Sequence, residues 1–79
     1  MTVLYFAHAR RIAAVAQEEI PVATPLGSAE FWDLIILRHA GLAALRANSR
    51  LARGDDFLPP GAVIDPADEI AIIPPVSGG

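Results

Sequence analysis

The chain has 79 residues, a formal net charge of −3 and no cysteine. Its length allows a single domain, and the lack of cysteine excludes disulfides, thiolate nucleophiles and thiolate metal sites. The net negative charge argues against nonspecific binding of nucleic acid, because that binding depends on basic contacts to phosphates. All six basic side chains are arginines, so the sequence offers no lysine amine.

The first third of the chain predicts two strands separated by a helical segment. Residues 2–7, TVLYFA, are apolar in both alternating sets, which is typical of a strand covered on both faces. Residues 8–16, HARRIAAVA, favour a short helix or turn. Residues 18–24, EEIPVAT, predict a second strand. Because proline cannot donate a hydrogen bond to a neighbouring strand, Pro21 indicates that this strand lies at a sheet edge or directs that position outward.

The main helix is predicted between residues 29 and 40. Ser28 is a candidate N-cap, Glu30 places a negative charge in the first turn, and Gly41 ends the apolar pattern. The predicted apolar face consists of Phe31, Leu34 and Ile35, widened by Trp32 and Ile36. A helix with so wide an apolar surface is expected to lie across a sheet.

The second half of the chain predicts shorter elements and one further strand. Residues 41–49 favour a short helical turn, and residues 50–57, RLARGDDF, favour a short strand that runs into a loop at Gly54. Residues 69–73, EIAII, predict a strand with two apolar faces. Because a long crossover separates the first and last strands, they are expected to pair in parallel at the sheet centre. The predicted class is α+β, with one main helix on a small mixed sheet.

The last predicted strand is followed directly by PPVSGG, residues 74–79. The proline pair fixes two φ angles, so the exit from the strand is expected to be stiff. At roughly 3.3 Å per residue, a segment of this length reaches about 20 Å. The two final glycines carry no Cβ, which allows a narrow channel to close around the backbone. We therefore predict a domain at residues 1–73 and an extended tail at residues 74–79, with a frayed end as the alternative.

The sequence carries no recognisable catalytic constellation. His8 and His39 are far apart and are the only imidazoles, so a metal site is not expected. The carboxylates at residues 55–56 and 65–69 lie in predicted turns, where turn-forming and solvated roles explain them. Four arginines in the middle of the chain indicate a solvated face, with a protein-docking patch as the alternative. They are Arg38, Arg46, Arg50 and Arg53.

Two segments resemble one protein family. DEIAIIPPVSGG, residues 68–79, resembles the end of the small, sulfur-carrying subunit of molybdopterin synthase, a ubiquitin-like β-grasp protein. VLYFAHARR, residues 3–11, is similar to the first strand and following turn of that family. The resemblance implies a β-grasp fold, in which one main helix packs across a small mixed sheet and an extended C-terminal tail leaves it.

The resemblance assigns the chemistry to Gly79. It implies that an ATP-using activating enzyme adenylates the terminal carboxylate and that sulfur then replaces the adenylate, giving a thiocarboxylate. In the large synthase subunit the sulfur would pass to a cyclic pyranopterin precursor of the molybdenum cofactor, with two carriers supplying the dithiolene in a heterotetramer. The tail segment implied to insert there comprises Pro74, Pro75, Val76, Ser77 and Gly78. The positions implied to dock the large subunit are Phe6, Phe57 and Ile73.

The resemblance also implies the partners. They are the large catalytic subunit of molybdopterin synthase, a ubiquitin-activating-like adenylyltransferase and a sulfur donor protein. The chain alone is expected to be non-catalytic and to bind no cofactor, since ATP is used by the activating enzyme. No nucleic-acid or membrane partner is expected, and the absence of a secretory-signal pattern indicates the cytoplasm. The alternatives are a sulfur carrier for thiamine thiazole synthesis and a ubiquitin-like modifier of protein amines.

Overall fold

A computed structural model describes residues 1–75, and that range contains five strands, two α-helices and one 3-10 helix. In chain order these are β1 (Thr2–Tyr5), α1 (Ala7–Ala13), β2 (Gln17–Glu19), α2 (Ser28–Arg38), the 3-10 helix (Ala40–Leu45), β3 (Arg50–Arg53), β4 (Asp56–Phe57) and β5 (Glu69–Ile73). The predicted α+β class is confirmed, and the last strand has the predicted bounds.

The five strands form one sheet in the order β2-β1-β5-β3-β4. Strands β1 and β5 pair in parallel, from Thr2 opposite Glu69 to Tyr5 opposite Ile72. The other neighbouring strands are antiparallel. The predicted parallel pairing at the sheet centre is therefore confirmed. The chain between the two strands, which includes both α-helices, forms the long crossover that a parallel pair requires.

One face of the sheet carries the hydrophobic core. The buried side chains of the two central strands are Val3, Tyr5, Ile70 and Ile72. They belong to one cluster with Phe31 and Ile35 of α2, whose side chains are fully buried. Burial of an apolar side chain of this size contributes about 1.5–3 kcal/mol relative to exposure, so this face supplies most of the driving force for folding.

The opposite face of the sheet is open, so the prediction that the first strand is covered on both faces holds for one face only. Leu4, Ala71 and Ile73 alternate with the core residues and are only partly buried. Phe6, predicted to continue β1, lies just beyond it and is 48% exposed. The physical reason is that α2, the main helix, covers one side of the sheet and no second layer covers the other within residues 1–75.

Helix α2 begins and ends at different residues from those predicted. Ser28 is the first helical residue and the cap is Gly27, whose N–H donates to Oε1 of Glu30 at 3.2 Å. The helix ends at Arg38, because His39 leaves the helical conformation at φ −136° and ψ 84°. Within residues 1–75, no helix combines the length and the apolar character that crossing a membrane requires.

The buried face of α2 consists of Phe31, Trp32 and Ile35. Leu34, which was predicted to belong to this face, is only partly buried and packs at the margin of the core. Trp32 is buried in its place and belongs to the core cluster with Leu51 of β3, against which Leu58 of the segment after β4 also packs. The Trp32 ring also meets the Phe31 ring edge-on, with the ring centroids 6.1 Å apart.

Gly41 has a packing role and does not terminate α2. It lies in the 3-10 helix, where an added Cβ would fall 2.8 Å from Cγ2 of Ile12 in α1. The short helix therefore approaches α1 more closely than a residue with a side chain would allow. The predicted helical turn at residues 41–49 is confirmed in part by this element.

The two edges of the sheet are short. Strand β2 lies at one edge as predicted, but it ends at Glu19, before Pro21. The other edge is β4, which pairs with β3 through a turn at Gly54. Gly54 has φ +62°, a conformation that favours glycine. The predicted loop at Gly54 is confirmed, whereas the second strand of this hairpin was not predicted.

Candidate functional site

The predicted tail begins where a central strand ends, and we call its first two residues, Pro74 and Pro75, the tail root. β5 ends at Ile73 and continues into Pro74, which is buried, and Pro75, which is exposed. The chain therefore leaves the domain from the middle of the sheet and is packed against it through the first proline. The remaining residues of the predicted tail, Val76, Ser77, Gly78 and Gly79, lie outside the described residues. Tail insertion, the reactive role of Gly79 and a domain boundary after residue 73 stay predictions.

The register of the strands places six side chains together on the open sheet face. Leu4 lies opposite Ala71, which lies opposite Ala52, and Ala52 lies opposite Phe57. Ile73 lies opposite Arg50 in the next row. Directly opposed residues of neighbouring strands share a face of the sheet. We call this surface the open face; it consists of Leu4, Arg50, Ala52, Phe57, Ala71 and Ile73, of which Ala52 is already buried by its neighbours.

The three predicted docking residues are at least partly exposed, and two of them lie together. Phe6 and Ile73 line one groove, whose volume is about 520 Å³. Both prolines of the tail root line the same groove, so this depression sits where the tail leaves the domain. Phe57 is 46% exposed but lies on the edge strand β4, outside the groove. Their role in docking stays a prediction.

The groove also contains residues that sequence reasoning missed. Ala7, His8 and Arg11 come from the start and middle of α1, and Leu45 comes from the 3-10 helix. Ala7 turns the chain sharply after β1, with φ +49°, and the N–H of Arg10 donates to the carbonyl oxygen of Phe6 at 3.3 Å as the helix starts. Because these segments meet only through tertiary packing, no local pattern in the sequence indicates the groove.

The four central arginines do not form one patch. Arg38 pairs with Glu18, Arg46 with Asp33 and Arg53 with Asp68. These three pairs involve different elements, so the alternative of a shared docking patch of four arginines is not supported. Arg50 differs, because its guanidinium carbon lies 3.6 Å from the centre of the Phe57 ring. This contact depends on the β3/β4 hairpin, which sequence reasoning did not predict.

Glu18 joins the edge strand β2 to the end of α2. Its Oε1 accepts a hydrogen bond from the Tyr5 hydroxyl at 2.8 Å and lies 2.9 Å from Nε2 of His39. Its Oε2 accepts a hydrogen bond from Arg38 at 3.3 Å. Partial burial acts to raise the pKa of Glu18, but the hydrogen bonds from His39, Tyr5 and Arg38 outweigh it and lower the pKa below its usual value. Burial, followed by the contact with Glu18, raises the pKa of Tyr5.

We expect Glu18→Gln to reduce the free energy of unfolding by about 1–3 kcal/mol at pH 7, because the buried Tyr5 hydroxyl then loses its charged acceptor. A carboxylate whose folded pKa is lowered stabilises the fold above its unfolded pKa, and this stabilisation disappears as the pH falls through the folded pKa. The difference between the two proteins should therefore shrink below about pH 4. Urea denaturation at several pH values measures this difference.

The control for this variant is Glu19→Gln, which removes the next carboxylate along the same strand. Glu19 is exposed and belongs to the opposite face of the sheet, so its loss should change stability by no more than about 0.5 kcal/mol. A Glu18→Gln effect that stays constant down to pH 3 would show that the carboxylate charge contributes nothing.

Comparison with known proteins identifies the family of this fold and tail. The model of the ThiS family matches residues 3–79. The molybdopterin synthase sulfur carrier subunit of Homo sapiens is 40% identical over 80 residues, covering 98% of this chain and 91% of that protein. The subunit of the same name from Drosophila erecta is 35% identical over 80 residues, covering 98% and 88%.

A solved structure confirms the predicted fold. The crystal structure of SAMP1 from Haloferax volcanii superimposes with a TM-score of 0.83 at 22% sequence identity, and covers 100% of this chain and 98% of that one. At this identity the likeness concerns the fold, which is the ubiquitin-like β-grasp that the resemblance implied. With the family model covering nearly all of its length and two relatives above 30% identity, this chain belongs to the ThiS family.

Proposed function

We propose that this chain is the sulfur carrier subunit of a molybdopterin synthase, with Gly79 as the residue that carries the sulfur. The observation that supports it most is the continuity of β5 with the final segment: the central strand runs through a buried Pro74 into a sequence that ends in two glycines. Relatives named as molybdopterin synthase sulfur carrier subunits match 98% of the chain.

The proposed chemistry proceeds in two steps at the carboxylate of Gly79. A carboxylate oxygen first attacks the α-phosphate of ATP on an activating enzyme, which gives an acyl adenylate and pyrophosphate. Hydrosulfide delivered by a sulfur donor protein then attacks the acyl carbon and displaces AMP, and loss of its proton leaves a thiocarboxylate. Adenylation is needed because a free carboxylate has no good leaving group. The activating enzyme supplies the catalytic groups and the ATP site, and this chain supplies the acyl group.

The open face and the groove support docking of a larger partner. Phe6 and Ile73 line the groove at which the tail leaves the sheet, and Phe6 and Phe57 are each about half exposed. Exposed apolar surface next to a reactive segment is typical of a protein-binding site. Binding there would direct the tail into the partner, where the sulfur would pass to the cyclic pyranopterin precursor. Two carriers acting on one precursor would supply the two sulfur atoms of its dithiolene.

The intact mass of the chain, purified from its native host, tests the proposal. A thiocarboxylate replaces one oxygen by sulfur, whereas oxidation of Met1 adds one oxygen and changes the nominal mass equally. Trypsin separates the two possibilities, because Arg53 is the last basic residue and the peptide from Gly54 to Gly79 contains no methionine. The added mass is expected on that peptide. Its absence from chain isolated under conditions of active cofactor synthesis would contradict the proposal.

Co-purification distinguishes the alternatives. A large molybdopterin synthase subunit is the expected partner. A thiazole synthase in its place would show that the carrier serves thiamine thiazole synthesis. A heterogeneous set of proteins linked through Gly79, with little thiocarboxylate, would identify a protein modifier.

We also expect that no ladder of covalently linked copies of this protein forms with activating enzyme and ATP when sulfur is withheld. The chain has no lysine, so a second copy offers no side-chain amine to the activated Gly79. Denaturing electrophoresis should show unlinked chain and, at most, a single adduct to a partner. The one amine within the chain is that of Met1, which is buried against the carbonyl oxygen of Ile20. Peptide mapping that finds a Gly79–Met1 linkage would contradict this expectation.

Phe57→Ala is expected to weaken binding to the large subunit by about 30-fold, equivalent to about 2 kcal/mol. The side chain is 46% exposed on the open face, so its loss should remove interface contacts with little effect on folding. Leu37→Ala is the matched control, because Leu37 lies on α2 and is 83% exposed. Isothermal titration calorimetry measures both variants. Equal affinities would show that the open face is not the docking surface.

A further inference from the structure

We propose that Arg50 binds a carboxylate side chain of the docking partner and thereby provides the charged contact of the open face. The inference rests on the proposed function, since it identifies a chemical requirement that the large subunit must meet. The partner should present an Asp or Glu side chain within an apolar surface, placed against β3 and next to the tail root.

The position of the Arg50 guanidinium follows from the strand pairing. Arg50 lies opposite Ile73, the last residue of β5, and its guanidinium carbon is 3.6 Å from the centre of the Phe57 ring. The stack on Phe57 and the strand pairing with Ile73 place the cation beside two of the three residues predicted to dock the partner. An arginine held on an aromatic face keeps the N–H groups at the edge of its plane free for a further acceptor.

No carboxylate in the described part of the chain neutralises Arg50. Among residues 1–75, the arginine ion pairs are those of Arg38, Arg46 and Arg53. Glu19 and Glu69 both lie opposite Thr2, at the far end of β1 and β5 from Ile73. The Thr2 hydroxyl donates a hydrogen bond to Glu19. Ile73 lies four positions along β5 from Glu69, which is about 13 Å.

Docking would remove the Arg50 guanidinium from water. The neighbouring positions of the open face, Ile73, Ala52 and Phe57, are apolar, so a partner that covers them also covers the cation. An unpaired charge in an interface costs several kcal/mol, whereas a paired and hydrogen-bonded one avoids most of this cost. Among protein groups, a carboxylate matches both the charge and the planar N–H geometry of a guanidinium. The partner is therefore expected to supply one.

The test compares Arg50→Gln, Arg50→Lys and a matched control by calorimetry with the purified large subunit of molybdopterin synthase from the same organism. Arg50→Gln should weaken binding by at least about tenfold at low salt, and by a smaller factor at high salt, because screening weakens the charge pair in the wild type. Arg50→Lys keeps the charge but loses the planar contact, so its affinity for the large subunit should lie between those of the wild type and Arg50→Gln.

The control is Arg10→Gln, which removes the same charge from α1. Arg10 is exposed, lies outside the groove and forms no ion pair with any of residues 1–75. The affinity of Arg10→Gln for the large subunit should stay within about twofold of the wild-type value. Far-ultraviolet circular dichroism checks that each variant is folded. Sedimentation of the wild type alone tests a second copy of this chain as the occupant, and a dimer that Arg50→Gln dissociates would overturn the assignment to the large subunit.

The possible results separate the two proposals. If Phe57→Ala weakens binding and Arg50→Gln does not, the partner supplies no carboxylate and the inference is wrong, while the proposed function stands. If Arg50→Gln weakens binding equally at low and high salt, the lost contribution is the packing of Arg50 on Phe57 and not a charge pair. That result also overturns the inference. If the wild-type chain does not bind the large subunit, both the proposed function and this inference fail.

Discussion

Deletion of Gly79 is expected to abolish sulfur transfer and to leave the fold unchanged. The deletion moves the terminal carboxylate back by one residue, about 3.3–3.6 Å. A displacement of about 1 Å in a positioned reacting group can reduce the rate 100-fold, so this shift should leave no measurable activity. The core consists of residues between Met1 and Ile72, and none of them belongs to the tail. Thermal unfolding should therefore match the wild type, while a coupled assay of molybdopterin formation shows no product.

Two further variants separate the position of the carboxylate from the space around it. Appending one alanine after Gly79 moves the carboxylate outward, and we expect the same complete loss. Gly79→Ala keeps the carboxylate in place but adds a Cβ, so it should be adenylated poorly if the activating enzyme closes tightly around the backbone. Full activity of the extended chain would show that Gly79 is not the acceptor of sulfur.

The elements that the sequence predicted well have strong local boundaries. β5 has the predicted bounds because its apolar run lies between the turn at residues 65–68 and the proline pair. The pairing of β1 with β5 followed from their separation along the chain. By contrast, α2 starts one residue before its predicted start. Its cap is a hydrogen bond from the backbone N–H of Gly27 to the carboxylate of Glu30. The sequence offered Ser28 as the more usual capping residue, so this start was not predicted.

The exposure of the sheet could not be predicted from the same pattern. Leu4 and Ile73 are as apolar as the core residues beside them, and apolar character alone does not distinguish a covered face from a face that binds another protein. Only the resemblance indicated that such residues dock a partner. The assignment of Leu34 to the centre of the core was inaccurate for a related reason, since the apolar pattern does not show that Trp32 is buried in the cluster while Leu34 packs at its margin.

Several polar contacts of the fold join residues that are distant in the sequence. Glu18 meets His39 across 21 residues, and Arg46 meets Asp33 across 13. Arg50 reaches Phe57 because a hairpin of a few residues folds one strand onto the next. The two glycines pointed to the proposed reactive end, whereas the place of Arg50 on the open face follows only from the register of β3 against β5.

Phe31→Ala is expected to reduce the free energy of unfolding by about 3–5 kcal/mol, the largest effect of any single core substitution considered for this chain. The Phe31 side chain is 0% exposed, belongs to the cluster that joins α2 to the central strands, and meets the Trp32 ring edge-on. Removing the ring leaves a cavity that neighbouring side chains can fill only in part. The free energy of unfolding of a natural domain is about 5–15 kcal/mol, so this loss is a large share of the total stability. A substantial fraction of the variant should therefore be unfolded at 37 °C.

Two leucines on the same helix are matched controls for this core position. Leu34 is partly buried, so Leu34→Ala should cost only about 1–2 kcal/mol, while Leu37→Ala should change stability by no more than about 0.5 kcal/mol. All three variants replace an apolar side chain by alanine within α2, which keeps changes in helix propensity small beside the burial term. Urea denaturation gives the three free energies. If Leu34→Ala cost as much as Phe31→Ala, both side chains would have to be buried alike in solution, and the orientation of α2 on the sheet would have to differ from the one described.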